Sequence, residues 1–394
     1  MGALLALLLG LGVPRSFPLL CALLLGLAWL GRRSQGPGPS RLLRWSSLGL
    51  LLFGVTYCVM QVGWGVWAPA QAHLGAIMAV VVLPSGGLLA GWYLPRLDSR
   101  QLSRWLVVYA LGGLVYGLLA LALSRTPWWN IGQVFELNVR VPWGSQSMMN
   151  MRSVEQRVFP ALALFPVACP LLWLWLRNRR GLLWPIVMLL MSALAAHAAW
   201  AFQGRIGVVI LAVAALPMLW LLPSATWRLW IVSGGTLFVS MLLASGRACD
   251  ERWWLQIGFL QRLGEAPWGG RLLDYTYRDC LPCRINHFGV GATANTSSPH
   301  NLILDIYNDA GWLPTVCLLL AILPVAWVLL KSFWRAFSTD GWNAPLALRW
   351  SFVSVLLVEW LLQPFLYADQ LMASLGFLLA GALLSEFSSD NPRG

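Results

Sequence analysis

Gly311-Trp312-Leu313-Pro314-Thr315-Val316-Cys317-Leu318-Leu319-Leu320-Ala321-Ile322-Leu323-Pro324-Val325-Ala326-Trp327-Val328-Leu329-Leu330 runs without a single charge and stops at Lys331. A span needs about 20 mostly apolar residues, so this stretch predicts a transmembrane helix. Working outward, segments of the same kind lie near 3–13, 17–31, 45–66, 72–93, 104–124, 157–176, 182–201, 206–222, 227–244, 348–366 and 370–386. Together they predict an all-α, polytopic integral membrane protein of about twelve transmembrane helices. Composition agrees: 58% of the 394 residues are hydrophobic and only 11% charged, and mean hydropathy is +0.67. A soluble domain needs more charge than that to cover its surface. Met1–Leu30 has no basic leading region and is broken by Arg15, so it reads as two short spans or one broken hairpin and not as a cleaved leader.

The net charge of +12 is a topology signal. Arg and Lys in short loops mark the cytoplasmic side, and long loops are exempt from that rule. Arg32, Arg33, Arg41 and Arg44 fall on one side, with Arg96, Arg100 and Arg104, then Arg177, Arg179 and Arg180. Arg228, Lys331, Arg335, Arg349 and the C-terminal tail join them, whereas the short opposite loops carry only Arg15 and Arg205. Both termini are therefore expected in the cytoplasm. The chain divides into 1–244 (nine spans, with an outer segment near 125–156), 245–310 (one large outer loop), and 311–394 (three spans and a short tail). No compact basic domain or nucleic-acid motif is present, so membrane lipids and not nucleic acid are the expected surroundings.

The outer loop holds most of the polar chemistry. Its end, Ser298-Pro299-His300-Asn301, reads as a helix start with Ser298 as N-cap and Pro299 as first helical residue. Leu302, Ile303, Ile306 and Ala310 then form an apolar stripe, Asn301, Asp305, Asn308 and Asp309 a polar face, and Gly311 a stop. On this reading His300 sits among the free N–H groups of a first turn. Such a site attracts anions and keeps imidazole neutral, fit to take a proton from a sugar hydroxyl. A ring satisfied by a loop carbonyl is the plainer account, and the residues alone leave the two even.

Arg205, in Gln203-Gly204-Arg205, opens a helix against its dipole, which favours an anionic partner over lipid phosphate. Arg247 and Arg252 are candidate phosphate forks, or surface partners of Asp250 and Glu251. Arg278 is a further basic residue of the loop. Cys280-Leu281-Pro282-Cys283 suggests a disulfide in an oxidising compartment, with Cys249 as competitor. Glu359 is a carboxylate well inside a span, read first as a helix-packing acid and second as functional. Metal pairs and nucleotide loops are not found, so no metal or cofactor is expected.

Three runs together carry a resemblance: Gly204-Arg205; Ser245-Gly246-Arg247 with Trp253, Trp254 and Pro267-Trp268-Gly269-Gly270; and Pro299-His300-Asn301-Leu302 up to Gly311-Trp312-Leu313. They resemble the bacterial O-antigen ligase and O-antigen polymerase superfamily, from about Arg205 onward. The resemblance implies a GT-C-like fold in the bacterial inner membrane with its active site facing the periplasm. It implies a metal-independent, inverting glycosyltransferase that moves a glycan from undecaprenyl diphosphate to a hydroxyl of lipid A–core. His300 would be the base, Arg205 with Arg252 or Arg247 would hold the diphosphate, and Asn301 and Arg278 would join the substrate-binding set. The irregular Arg-to-Trp spacing after the ninth span leaves the second Arg open. A polymerase of the same superfamily is the nearest alternative. A lipid-linked glycan transporter is the next, and haem ligation by His73 and His287 is disfavoured because Arg284 follows the Cys pair.

Overall fold

The computed structural model describes residues 2–11, 40–64, 78–124, 301–339, 344–362 and 370–390. It also describes pieces within 161–168, 186–194, 212–217 and 256–269, and positions 26 and 233. Of this set 94% is helical and none is strand, which makes the described fold all-α. The principal helices are α1 (Gly2–Gly10), α2 (Arg41–Gly63), α3 (Leu83–Ser124, entered through a π-helical turn at Met78–Val82), α4 (Leu302–Ala310), α5 (Trp312–Thr339), α6 (Ala344–Leu362) and α7 (Gln370–Asp390). Among the described residues, three segments are long and apolar enough to cross a membrane: Arg41–Gly63, Gln101–Leu119 and Trp312–Trp334. The expected spans between 157 and 244 lie largely outside the described residues.

Helix α2 starts where its chemistry dictates. Ser40 adopts an extended conformation and its Oγ accepts from Leu43 N at 3.2 Å, capping a run of apolar residues. Its Trp45, Leu48, Leu51, Leu52, Val55, Val59 and Val62 are exposed. Leu43, Leu50, Phe53 and Tyr57 are buried. Helix α5 repeats the pattern, exposing Trp312, Val316, Leu320, Leu323, Trp327, Leu330 and Trp334 while burying Leu318, Ala321, Val325 and Val328. Outward apolar stripes at helical spacing fit a hydrocarbon solvent. They would be costly in water.

The two helices pack antiparallel. Gly49 of α2 lies against the Cys317–Ala321 turn of α5, close enough that a β-carbon there would stand 2.6 Å from Ala321 N. At the other end, Gln61 Nε2 donates to the Asp309 carbonyl at 3.4 Å. Small residues also set the α3–α7 crossing, where Gly91 faces the Leu378 carbonyl and Gly381 faces that of Leu88. Lipid supplies little hydrophobic drive between helices, so close backbone approach of this kind is a main source of their cohesion. Aromatic contacts complete the core: Tyr109 meets Phe352 edge-on at 5.4 Å, and Trp360 lies 5.0 Å from Phe377.

Two expectations need correction. The basic turn predicted between the spans 72–93 and 104–124 is helical, so the two apolar stretches are arms of the single element α3. The connecting residues contain no glycine, and Leu94, Arg96, Leu97, Arg100, Gln101 and Leu102 are good helix formers that outweigh the interruption at Pro95. Arg349, expected among the displayed basic residues, is only 1% exposed inside α6. Its neighbours explain the depth. Trp350 donates from Nε1 to the Leu329 carbonyl at 2.9 Å and stacks on Phe333, and Ser351 Oγ donates to the Ala214 carbonyl at 2.7 Å. With the two side chains that follow it tied inward, this turn of α6 lies inside the bundle and Arg349 with it.

Candidate functional site

Gln61, Asn301, Asp305, Asn308, Asp309 and Thr315, all buried, gather where the C-terminal ends of α2 and α6 meet the N-terminal end of α5. Helix α4 occupies this junction. Its N-cap is Asn301, extended at φ −142°, ψ 122°, and not the expected Ser298. Asn301 Oδ1 accepts from Ile303 N at 3.0 Å and Leu304 N at 3.3 Å, and Asp305 N donates to the Asn301 carbonyl at 2.7 Å. Asn caps as well as Ser, and it stands one residue before the first apolar position. His300 therefore immediately precedes the cap in sequence instead of lying in the first turn. The N–H groups of Ile303 and Leu304, in the first turn of the helix as it is built, are occupied by Asn301.

The other half of the Asn301 amide is also engaged. Nδ2 donates to the Leu361 carbonyl at 3.0 Å, and Gln256 Nε2 donates to the same oxygen at 3.2 Å. Leu361 lies in the last turn of α6, whose carbonyls have no partner along the helix. Two amides from opposite ends of the outer loop thus cap one helix terminus.

Helix α4 is buried on both faces. Leu302, Ile306 and Ala310 are buried as expected, and so are Asn301, Asp305, Asn308 and Asp309. The polar face does not point at water. Tyr307 extends sideways instead, donating to the Leu263 carbonyl at 2.9 Å and meeting Phe259 edge-on at 6.3 Å.

Beyond α4, two glycines interlock. Gly311 ends the helix at φ 84°, ψ −172°, a region populated almost only by glycine, and Gly269 also has φ 84°. A β-carbon on Gly311 would stand 2.5 Å from the Trp268 carbonyl carbon, and one on Gly269 would stand 2.6 Å from Gly311 N. Trp312 N donates to the Pro267 carbonyl at 2.9 Å, and Trp64 Nε1 to the Trp268 carbonyl at 3.0 Å. Pro267-Trp268-Gly269 and the run through Gly311-Trp312, distant in sequence, are thereby pressed backbone to backbone.

Of the site residues expected from sequence, Asn301 alone is among the described residues. His300, Arg205, Arg247, Arg252 and Arg278 lie outside them, as do Cys249, Cys280 and Cys283. Glu359 lies in α6, with its side chain outside the described set. Among the described residues no cluster of three or more His, Cys, Asp or Glu has metal-binding spacing. Sequence reasoning missed Gln61, Gln256 and Tyr307. Gln61 was visible as an uncharged polar residue near the end of a span. Gln256 carried no signal beyond lying in the loop, because its partner is a backbone carbonyl more than a hundred residues away. No family model matches the chain, and no curated protein matches it in sequence.

Proposed function

We propose that the chain is a lipid-linked glycan transferase of the O-antigen ligase type, acting at the junction of α2, α4, α5 and α6. The supporting observation is the clasp between Pro267-Trp268-Gly269 and Gly311-Trp312. Two of the runs on which the resemblance rests are separated in sequence, and a shared site requires them to meet. Tethering of Asn301 to the end of α6 adds to this, since it fixes the residue next to His300 on a rigid frame.

In this reading a lipid A–core hydroxyl gives its proton to His300. The acceptor oxygen bonds to the anomeric carbon as that carbon's bond to the diphosphate oxygen breaks, so the configuration inverts. The electron pair leaves with undecaprenyl diphosphate, whose charge Arg205 and Arg252 or Arg247 hold, with Arg278 as a further candidate. Asn301 has both ends of its amide engaged in the fold, so it acts as a positioning residue for His300. No cofactor enters the scheme. The setting is the bacterial inner membrane, with both chain termini cytoplasmic and the site facing the periplasm.

The test is direct. Purified wild type, His300→Ala and Arg205→Ala are given undecaprenyl-diphosphate-linked glycan and lipid A–core in EDTA, and products are separated on a gel. The expected result is capped lipopolysaccharide from wild type, reduced at least about a hundredfold in both variants. Lengthened carrier-linked glycan without capping would make the protein a polymerase. No product with reagents validated on a known ligase would return it to the transporter class.

A further inference from the structure

The exposed tryptophans at the ends of the two lipid-facing stripes are spaced like the edges of a bilayer, with Trp327 of α5 exposed between them. In α2, Trp45 is 46% exposed, and at the C-cap Trp64 is 48% exposed. At 1.5 Å per residue they stand about 28 Å apart. In α5, Trp312 and Trp334 are 42% and 60% exposed and stand about 33 Å apart on the same measure. The hydrocarbon core is about 30 Å thick, and Trp concentrates at its two faces. Because α2 and α5 are antiparallel, Trp64 and Trp312 mark the same face.

A third indole joins them from the large loop. Trp268 is 54% exposed; its ring lies 6.0 Å from that of Trp312, and its carbonyl receives the Trp64 indole N–H. The patch is thus continuous with both lipid-facing stripes. We propose that Trp64, Trp268 and Trp312 form a headgroup-level anchor whose partner is the phospholipid surface. This anchor seats the 263–269 segment, with α4 beside it, in the membrane interface. The ring of Trp268 has no fold-internal reason to be exposed there, since its backbone alone makes the clasp with Gly311. At headgroup depth the indole is half in hydrocarbon and half in a polar layer, the environment its apolar body and single donor suit best. The consequence is that the stem of the outer loop lies on the bilayer. This holds whatever reaction the chain performs.

The experiment uses the full-length protein in nanodiscs of phosphatidylethanolamine and phosphatidylglycerol. The photoreactive residue p-benzoylphenylalanine replaces Trp268, or Trp312, or Trp327 at mid-span, in separate preparations. After illumination, lipid adducts are counted by mass spectrometry. The expected yield at Trp268 is within about threefold of that at Trp327. A yield more than about tenfold lower at Trp268, with Trp327 still labelled, would overturn the anchor. Should the Trp268 variant not elute as a single species, the Trp312 variant carries the same expectation and the same failure. With lipid-linked glycan added, adducts to sugar and none to phospholipid would make the patch a carbohydrate platform and reject the proposal.

Discussion

Helices α4 and α5 are separated by Gly311 alone, yet they follow opposite rules. Helix α4 has a polar face and buries it, with Asp305, Asn308 and Asp309 all enclosed. Helix α5 has an apolar face and exposes it along its length, from Trp312 to Trp334. Each arrangement would be unfavourable for a helix on the surface of a soluble protein. Side by side they indicate where the solvent changes: hydrocarbon meets the exposed stripe of α5, whereas protein covers the polar face of α4. A short helix that hides its carboxylates at the end of a bundle is held by polar contacts, and polar contacts demand defined geometry. This contrast makes the α4 end, and not the interior of the bundle, the better place to seek chemistry.

The hinge between the two helices is the most sensitive point. Alanine at Gly311 must adopt a backbone conformation almost reserved for glycine, and its β-carbon must displace the Trp268 backbone. Strain and overpacking together are expected to cost about 3–5 kcal/mol. Thermal unfolding in detergent, followed by a solvent-accessible thiol dye, should show a larger loss for Gly311→Ala than for substitutions at Asp305 or Asn301. A Gly311→Ala protein as stable as wild type would mean that the clasp with Pro267-Trp268-Gly269 is not formed.

The second prediction tests the two solvents directly. Leu323→Asp places a carboxylate on the exposed stripe of α5 near its middle, and is expected to cost about 3 kcal/mol of insertion energy. Asp305→Leu makes the reverse change on the buried face of α4, at a residue engaged by the fold. It is expected to cost about 1–3 kcal/mol. In a soluble protein the exposed change would be nearly silent. Membrane insertion assays on Leu323→Asp and unfolding of Asp305→Leu should therefore both report losses, although one substitution adds polarity and the other removes it. A neutral Leu323→Asp would remove the lipid-facing assignment of α5.

The sequence showed the helices more readily than the junction. Apolar runs with few charges have one economical structure in hydrocarbon, so α2, α5, α6 and α7 follow from hydropathy within a few residues at most ends. Continuous α3 did not, because Arg96, Asp98 and Arg100 mimic a loop while their neighbours favour helix. Arg349 was misjudged for a related reason: charge counting cannot see that the turn it shares with Trp350 and Ser351 is anchored inside the bundle. At the candidate site, Gly311 as a stop was legible from residue type. The cap was placed three residues early, since Ser298 and Asn301 are both competent and only tertiary contact selects between them. The Leu361 carbonyl was illegible in principle. It is a backbone atom whose importance comes from two distant amides.

That carbonyl allows the finest cut between architecture and chemistry. Asn301→Ala removes both the cap and the tether, and about 2 kcal/mol of stability should go with them. Asn301→Ser keeps an oxygen able to cap Ile303 and Leu304 but is too short to reach Leu361, so only about 1 kcal/mol is expected to be lost. If Asn301 merely starts a helix, transfer activity in the serine variant should track its small loss of stability. If the tether positions His300, kcat should fall by more than about tenfold in the serine variant at a temperature where it is fully folded, with KM for the lipid-linked donor nearly unchanged. The same split should appear, more weakly, in Gln256→Ala, which leaves the cap intact and takes away the other donor to Leu361. A serine variant with wild-type kcat would leave the junction as a structural joint between two solvents and detach it from catalysis.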